Sequence, residues 1–136
     1  MVKTFKKISI NKAKAIDYKY VAKNFFDGAV TSAEYEYWNA AGVLIVHSAI
    51  AYADAITIKY GGVKSKGDDH QDVVNLVDFM VANSEEKKKA LSQLSKIITH
   101  KNLVSYSGNI YGKKDIDKLW KYLERFALWA EKLLKE

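Results

Sequence analysis

The sequence contains no cysteine and no proline. Without cysteine there is no disulfide framework, no thiolate metal site and no cysteine nucleophile, and a reducing compartment such as the cytoplasm fits this composition. Without proline no helix loses an N–H donor, which favours long helices. The 136 residues show no repeat and no linker. We therefore expect a single domain over residues 1–136, with a flexible basic segment at residues 1–11.

Arginine is almost absent, although the chain is basic. Of 22 basic residues, 21 are lysine and only Arg125 is arginine, against 16 acidic residues and a net charge of +6. Residues 1–30 hold seven lysines and two aspartates, a balance of +5 that could meet phosphates. Bidentate recognition of bases and phosphates usually relies on arginine, so a solvated lysine surface is the favoured interpretation.

Long apolar runs are also missing. No such run follows the first residues, so we expect no secretory signal. The longest charge-free stretch runs from Tyr37 to Ala53 and includes Asn39, His47 and Ser48. It is more typical of a buried core helix than of a membrane span, and we expect a cytoplasmic protein with no membrane contact.

Apolar residues recur at spacings of three and four, which predicts five helices. The predicted helices cover about Lys12–Phe26, residues 32–60, a segment after Asp68 or Asp69 to Ala82, Glu85–Ser105 and Asp115–Leu134. No alternation is long enough to predict a strand. Short connections between helices indicate an all-α fold, an up-and-down bundle of about five helices.

Local signals place the ends of these helices. Gly28 is expected to stop the first helix, and Thr31 with Glu34 has the form of a capping box for the second. Gly61-Gly62 is expected to end the second helix in a left-handed turn. The middle of that helix is rich in alanine and glycine, which predicts a place at the centre of the bundle or at a dimer seam.

Motifs for catalysis or cofactor binding are scarce. No glycine-rich phosphate fingerprint and no histidine pair at metal-ligand spacing occurs, so no metal and no cofactor is expected. His47 lies midway along the apolar second helix. A buried imidazole needs a hydrogen-bond partner, and we interpret His47 as a structural histidine in preference to a catalytic one.

Two polar segments are candidate sites. In the loop from Lys64 to His70, Lys64 and Lys66 precede a helix N-terminus, a plausible anion site unless Asp68 and Asp69 repel the anion. In the segment from His100 to Tyr106, Lys101 and Ser105 continue the apolar stripe of the fourth helix. A lysine in such a stripe is unusual unless it reaches solvent or meets a partner at a cleft.

The order of these elements resembles the HEPN family, from about residue 12 to the end. The matching features are the small-residue helix Tyr37–Ala55, the Gly-Gly stop, the helix opened by Asp69-His70 with Val73–Val77, and the closing helix with Glu124–Ala130. The resemblance implies a helical dimer. Many HEPN proteins are metal-independent ribonucleases with an arginine and a following histidine at the dimer cleft, and others are partners of small nucleotidyltransferases or RNA-binding modules.

That ribonuclease motif would fall near residues 100–106. One register pairs His100 with Ser105 and the other pairs Lys101 with Tyr106, and neither gives arginine followed by histidine. The resemblance therefore implies a member that has lost the signature. Lys101 would keep the positive charge of the missing arginine.

Three hypotheses follow. The first is a non-catalytic HEPN-like homodimer, akin to toxin–antitoxin components, that binds a nucleotide, RNA or a nucleotidyltransferase partner. Its expected binding residues are Lys101, Asn102, Ser105, Tyr106, Lys64, Lys66 and His70. The second is a weak ribonuclease with His100 or His70 as general acid/base and Lys101 as electrostatic stabiliser. The third is a purely structural protein that dimerises through the second helix.

Overall fold

The structure is a computed structural model that describes residues 6–67 and 70–135. Its helices are α1 (Ala15–Glu34), α2 (Trp38–Gly61), α3 (His70–Met80), α4 (Glu85–Ile98), α5 (Lys101–Ser105) and α6 (Lys113–Leu134). A 3-10 turn at Lys12–Lys14 precedes α1, and two short strands are β1 (Lys7–Ser9) and β2 (Val63–Ser65). The predicted all-α bundle of about five helices is confirmed, since α5 is little more than one turn.

The boundary between α1 and α2 differs from the prediction. α1 does not stop at Gly28 but continues to Glu34, so Thr31 lies inside its last turn and the predicted capping box is wrong. Gly28 instead serves packing, because a Cβ there would lie 3.3 Å from Cδ1 of Leu44. The helix ends in a Schellman motif, in which the N–H of Tyr37 donates to the Ser32 carbonyl at 2.9 Å and Glu36 takes the left-handed conformation at φ 61°.

Helix α2 is the centre of the bundle, as predicted. It contacts α1, α3, α4, α5 and α6. Small residues let α1 approach closely, and the buried Ser48 hydroxyl donates a 2.8 Å hydrogen bond to the Ala22 carbonyl across this seam. Among the described residues, α2 is the one helix that is both long enough and apolar enough to cross a membrane. However, 78% of its most apolar 18-residue window is buried inside the fold. That burial is what a core helix shows.

The chain after α2 forms a strand that the sequence did not predict. Gly62 ends α2 in the left-handed conformation, as expected, and β2 then pairs antiparallel with β1, with Ile8 opposite Lys64. Each strand has only three residues, too few for an alternating pattern to stand out. The pairing holds the Lys64 segment against α2, and it places Lys7–Ser9 of the expected flexible segment in a strand.

The turn between α3 and α4 is held by side chains. α3 ends at Met80, two residues before the predicted end, and α4 begins after Ser84, whose hydroxyl accepts a 3.0 Å hydrogen bond from the N–H of Lys87. This confirms the predicted restart at Asn83-Ser84. The predicted caps of α3, Asp68 and Asp69, lie outside the described residues.

The fourth predicted helix is two helices. α4 ends at Ile98, the chain turns through Thr99 and His100, and α5 begins at Lys101, so Lys101 and Ser105 do not continue one stripe. Packing explains the break. Val104 of α5 sits against Gly42, where a Cβ would lie only 2.6 Å from Cγ2 of Val104. The amide of Asn39 fixes the following loop, donating to the carbonyls of Val104 and Asn109 at 3.1 and 2.9 Å.

Helix α6 closes the bundle with the apolar face that its sequence predicts. It begins at Lys113, two residues before the predicted start, where the Asp115 carboxylate accepts a 2.9 Å hydrogen bond from the N–H of Gly112. Its buried residues are Ile116, Leu119, Leu123, Phe126, Ala127, Trp129, Ala130 and Leu134. Helix α6 packs on α2 and α4, and α2 in turn contacts β2, α3 and α5.

Candidate functional site: a lysine-lined cavity

A cavity of about 80 Å³ lies where α2, β2, α3, α4 and α5 meet. Its polar lining comes from Asp54 of α2, from Lys64, Ser65 and Lys66 at β2, and from Lys101 of α5. Ile50, Val73 and Ile98 supply the apolar walls. We call this space the lysine cavity. It joins two of the polar segments that stand apart in sequence.

Asp54 is the buried charge of the lysine cavity. It is 6% exposed, and its Oδ2 lies 3.8 Å from Nζ of Lys64. Its Oδ1 has no hydrogen-bond partner among the described residues. Burial raises the pKa of Asp54 to about 6, against a smaller opposing effect of Lys64 and Lys101. A carboxyl group with a strongly shifted pKa in a cavity is a candidate functional residue.

The three lysines are held in place by different means. The Lys64 ammonium lies beside Asp54 and 5.6 Å from the centroid of the Tyr18 ring. Lys66 follows β2, where the buried Ser65 hydroxyl accepts a 3.1 Å hydrogen bond from the N–H of Gly67 and so shapes the turn. Lys101 begins α5. Among the described residues, three lysines and one aspartate line the cavity, a formal balance of +2.

The structure divides the predicted binding residues into two groups. Lys64, Lys66 and Lys101 come together in the lysine cavity. Asn102, Ser105 and Tyr106 face outward from α5 and do not line it; Tyr106 is 82% exposed. The side chain of His70 lies outside what the structure describes. The candidate site thus keeps the lysines of both predicted segments and loses the polar residues after Lys101.

His100 points away from its neighbour Lys101. Its Nδ1 shares a 2.6 Å hydrogen bond with the Tyr111 hydroxyl, and it lines a separate pocket between α4 and α6 with Asp115. Burial in that pocket lowers the pKa of His100. His100 and Lys101 therefore do not face one reacting group in this chain.

His47 is not the buried structural histidine that its position in an apolar helix predicts. Its side chain is exposed, and its ring packs against Phe25 at a centroid distance of 6.1 Å. Partial burial lowers the pKa of His47, and the charge of Lys101 lowers it further. The prediction failed because the neighbouring helix α1 leaves a groove over this turn of α2.

Asp54 is the site residue that sequence reasoning missed. It is the only charged residue between Glu36 and Lys59, in the middle of a helix of alanine and isoleucine. An isolated carboxylate in an apolar helix was the available signal. The partner that reveals its role, Lys64, lies beyond a helix end and a turn, so local spacing could not pair them.

The described residues contain no group of three histidine, aspartate or glutamate side chains that could hold a metal ion. Lysine ammonium groups do not ligate metals at neutral pH, so the lysine cavity is suited to an anion. Comparisons with protein-family models, curated proteins and solved structures find no match to this chain. The function is therefore argued from this cavity.

Proposed function

We propose that this protein is a non-catalytic binding module that takes a phosphate-bearing ligand, a nucleotide or nucleic acid, in the lysine cavity. The observation that carries the proposal is the convergence of Lys64, Lys66 and Lys101 on one small space. Like charges repel, so their approach is unfavourable unless an opposite charge joins them. Asp54 supplies one such charge, and a phosphate group would supply the rest.

Lysine suits this task in a chain with a single arginine. An ammonium group attracts phosphate as a compact point charge and does not need the planar geometry of a guanidinium. The cavity volume of about 80 Å³ fits a small group of this kind and is too small to enclose a whole nucleotide. Asp54 holds the Lys64 ammonium at the cavity wall, which makes Asp54 a positioning residue for the anion.

The HEPN resemblance extends this proposal to a homodimer and to a nucleotidyltransferase partner. Its support is the order of helical elements and the position of Lys101 beside a cavity. The ribonuclease alternative needs His100 and Lys101 on one substrate, and the two side chains line different pockets. Binding without cleavage is thus the function that the geometry favours.

The test is calorimetric titration of the protein with inorganic phosphate, AMP and a short RNA at low salt. Lys101→Ala and Lys66→Ala should each weaken binding roughly tenfold or more, because a charged hydrogen bond contributes about 1.5–3 kcal/mol. The matched control is Lys88→Ala, an exposed lysine of α4 far from the cavity lining, which should stay within about twofold. Wild-type binding should weaken as salt rises.

The proposal fails if no ligand binds at millimolar concentration, or if Lys101→Ala and Lys88→Ala bind alike. Labelled RNA incubated with the wild type, His100→Ala and Lys101→Ala tests the alternative. Cleavage that both substitutions abolish would replace the binding module with a ribonuclease. Cleavage that neither changes would indicate a contaminating enzyme.

A further inference from the structure

A second open space adjoins the lysine cavity, between α1 and α2. It has a volume of about 250 Å³ and is lined by Asp17, Tyr18, Val21, Phe25, His47, Ile50, Ala51 and Asp54. We call it the aromatic cleft. The rings of Tyr18 and Phe25 from α1 and the imidazole of His47 line it, and the Phe25 and His47 rings are tilted by 56°.

The aromatic cleft and the lysine cavity share two lining residues. Ile50 and Asp54, one helical turn apart on α2, line both spaces. Lys64 links them as well, since its ammonium lies near Asp54 on one side and over the Tyr18 ring on the other. A ligand seated in one space would therefore reach the other across a single turn of α2.

Neither space alone has the volume of a complete ligand site. Small-molecule sites usually measure roughly 300–1,000 Å³. The lysine cavity, at about 80 Å³, and the aromatic cleft, at about 250 Å³, together reach the lower end of that range. The chemistry differs between the two parts, because lysines predominate in the cavity, whereas the cleft offers ring faces and aliphatic walls beside the carboxylates of Asp17 and Asp54.

Resting on the proposed function, we infer that the ligand is a nucleoside with a terminal 5′-phosphate, whose phosphate enters the lysine cavity and whose base stacks in the aromatic cleft. A base offers a flat π-face to Tyr18, Phe25 or His47 without a need for specific hydrogen bonds. The small cavity has room for a phosphate at the end of a ligand, whereas an internal phosphodiester would need space for chain on both sides. The same group occurs on a free nucleotide and at the 5′ end of a strand.

The experiment is calorimetric titration with inorganic phosphate, ribose 5-phosphate, the four nucleoside 5′-monophosphates, and a trinucleotide with and without a 5′-phosphate. The wild type should bind the nucleoside monophosphates on the order of tenfold more tightly than ribose 5-phosphate, as base stacking contributes. Phe25→Ala should remove most of that advantage and leave the affinity for inorganic phosphate unchanged. His47→Ala, at an exposed side chain, is the second variant should Phe25→Ala fold poorly.

The matched control is Tyr20→Ala, an aromatic residue of α1 that is 72% exposed and does not line the cleft. It should leave every affinity within about twofold. The inference is overturned if the protein binds ribose 5-phosphate and the nucleotides with equal affinity, or if neither Phe25→Ala nor His47→Ala changes the affinities. The proposed function still stands in that case if Lys101→Ala weakens the binding of phosphate. Tighter binding of the 5′-phosphorylated trinucleotide than of free nucleotides assigns the group to a strand end. The reverse order assigns it to a free nucleotide.

Discussion

Two buried charges in this bundle are treated in opposite ways. Lys87, at the corner between α3 and α4, is 3% exposed, and its ammonium meets the Asp78 carboxylate at 2.7 Å, the Asn83 side-chain oxygen at 2.7 Å and two backbone carbonyls at 3.1 Å. Asp54 is buried to a similar extent and, among the described residues, has a single ion pair at 3.8 Å. One charge is fully paired and the other is half-paired.

The difference separates a structural charge from a candidate functional one. The Lys87 ammonium satisfies the carbonyls of Asp78 and Val81 at the end of α3, groups that any helix C-terminus leaves without partners. Asp54 satisfies no helix end, and burial raises its pKa because its ionised form has too few partners. A charge that stabilises the fold and one that destabilises it should respond to substitution with opposite signs.

Lys87→Met, at the corner between α3 and α4, should give the largest loss of stability. It removes the charge that pairs with Asp78 and leaves two carbonyls without a donor, so we expect a loss of about 3 kcal/mol in the free energy of unfolding. The half-exposed Asp78 carboxylate can turn to water, which keeps the loss at the lower end for a broken buried pair. Urea unfolding monitored by circular dichroism measures it.

Lys88→Met is the matched control, because this neighbouring lysine is exposed and its ion pair within the described part of the chain is a 3.6 Å contact with Glu85. Its substitution should change stability by no more than about 0.5 kcal/mol. Similar losses from both variants would show that Lys87 acts through helix propensity or general charge. Lys87 would then no longer be an example of a buried charge that stabilises the fold through its partners.

Asp54→Asn should stabilise the protein at pH 7.5, by at most about 3 kcal/mol, the free energy that corresponds to its pKa shift. The pKa of Asp54 is about 6 in the fold and 3.8 in the unfolded chain, so ionisation favours unfolding. This unfavourable contribution begins as pH rises past about 4 and is complete above about 6. The advantage of Asp54→Asn over wild type should therefore shrink as pH falls from 7.5 to 4.5. Urea unfolding of both proteins at each pH measures the difference.

Asp117→Asn is the control for this titration, since its carboxylate is exposed and pairs with Lys113 on the surface of α6. Its effect should be small at both pH values. The same Asp54→Asn protein should bind phosphate less well, because Lys64 loses the group that holds it at the cavity wall. A variant that is less stable than wild type at pH 7.5 would mean that Asp54 has the partners of a structural charge.

The sequence predicts those parts of the fold that local signals determine. The face of α6 follows from apolar spacing, and the end of α2 follows from Gly61-Gly62. The predicted end of α1 is wrong. Gly28 packs against Leu44 inside the helix, and the helix continues through both Gly28 and the predicted capping box. α5 was merged with α4 because the contact of Val104 with Gly42 joins residues far apart in sequence.

The candidate site shows the same division. Lys64, Lys66 and Lys101 were each visible as basic residues in unusual positions, but only the pairing of β1 with β2 and the turn before α5 bring them to one cavity. Asp54 was missed because its partner lies across a helix end. Composition could point to an anion, whereas the proposed division into a phosphate site and a ring site depends on how α1 lies on α2.

Of the three main substitutions, Gly42→Ala should change stability least. It tests whether the packing of α5 on α2 holds Lys101 at the lysine cavity. The new Cβ would lie 2.6 Å from Cγ2 of Val104, so α5 must shift, and Lys101 stands one turn before Val104. Overpacking destabilises by about 1–3 kcal/mol, and the better helix propensity of alanine offsets about 1 kcal/mol of it. We expect a net loss of about 1 kcal/mol, together with weaker phosphate binding as Lys101 moves from the cavity.

Gly28→Ala is the matched control, since its Cβ would meet only the end of the flexible Leu44 side chain at 3.3 Å, and Gly28 does not line the lysine cavity. It should leave phosphate affinity unchanged. Val104→Ala combined with Gly42→Ala removes the clash and should restore affinity more than stability, because it returns α5 to its place but leaves a smaller apolar contact. If Gly42→Ala leaves phosphate binding intact, the position of Lys101 at the cavity does not depend on how α5 packs against α2.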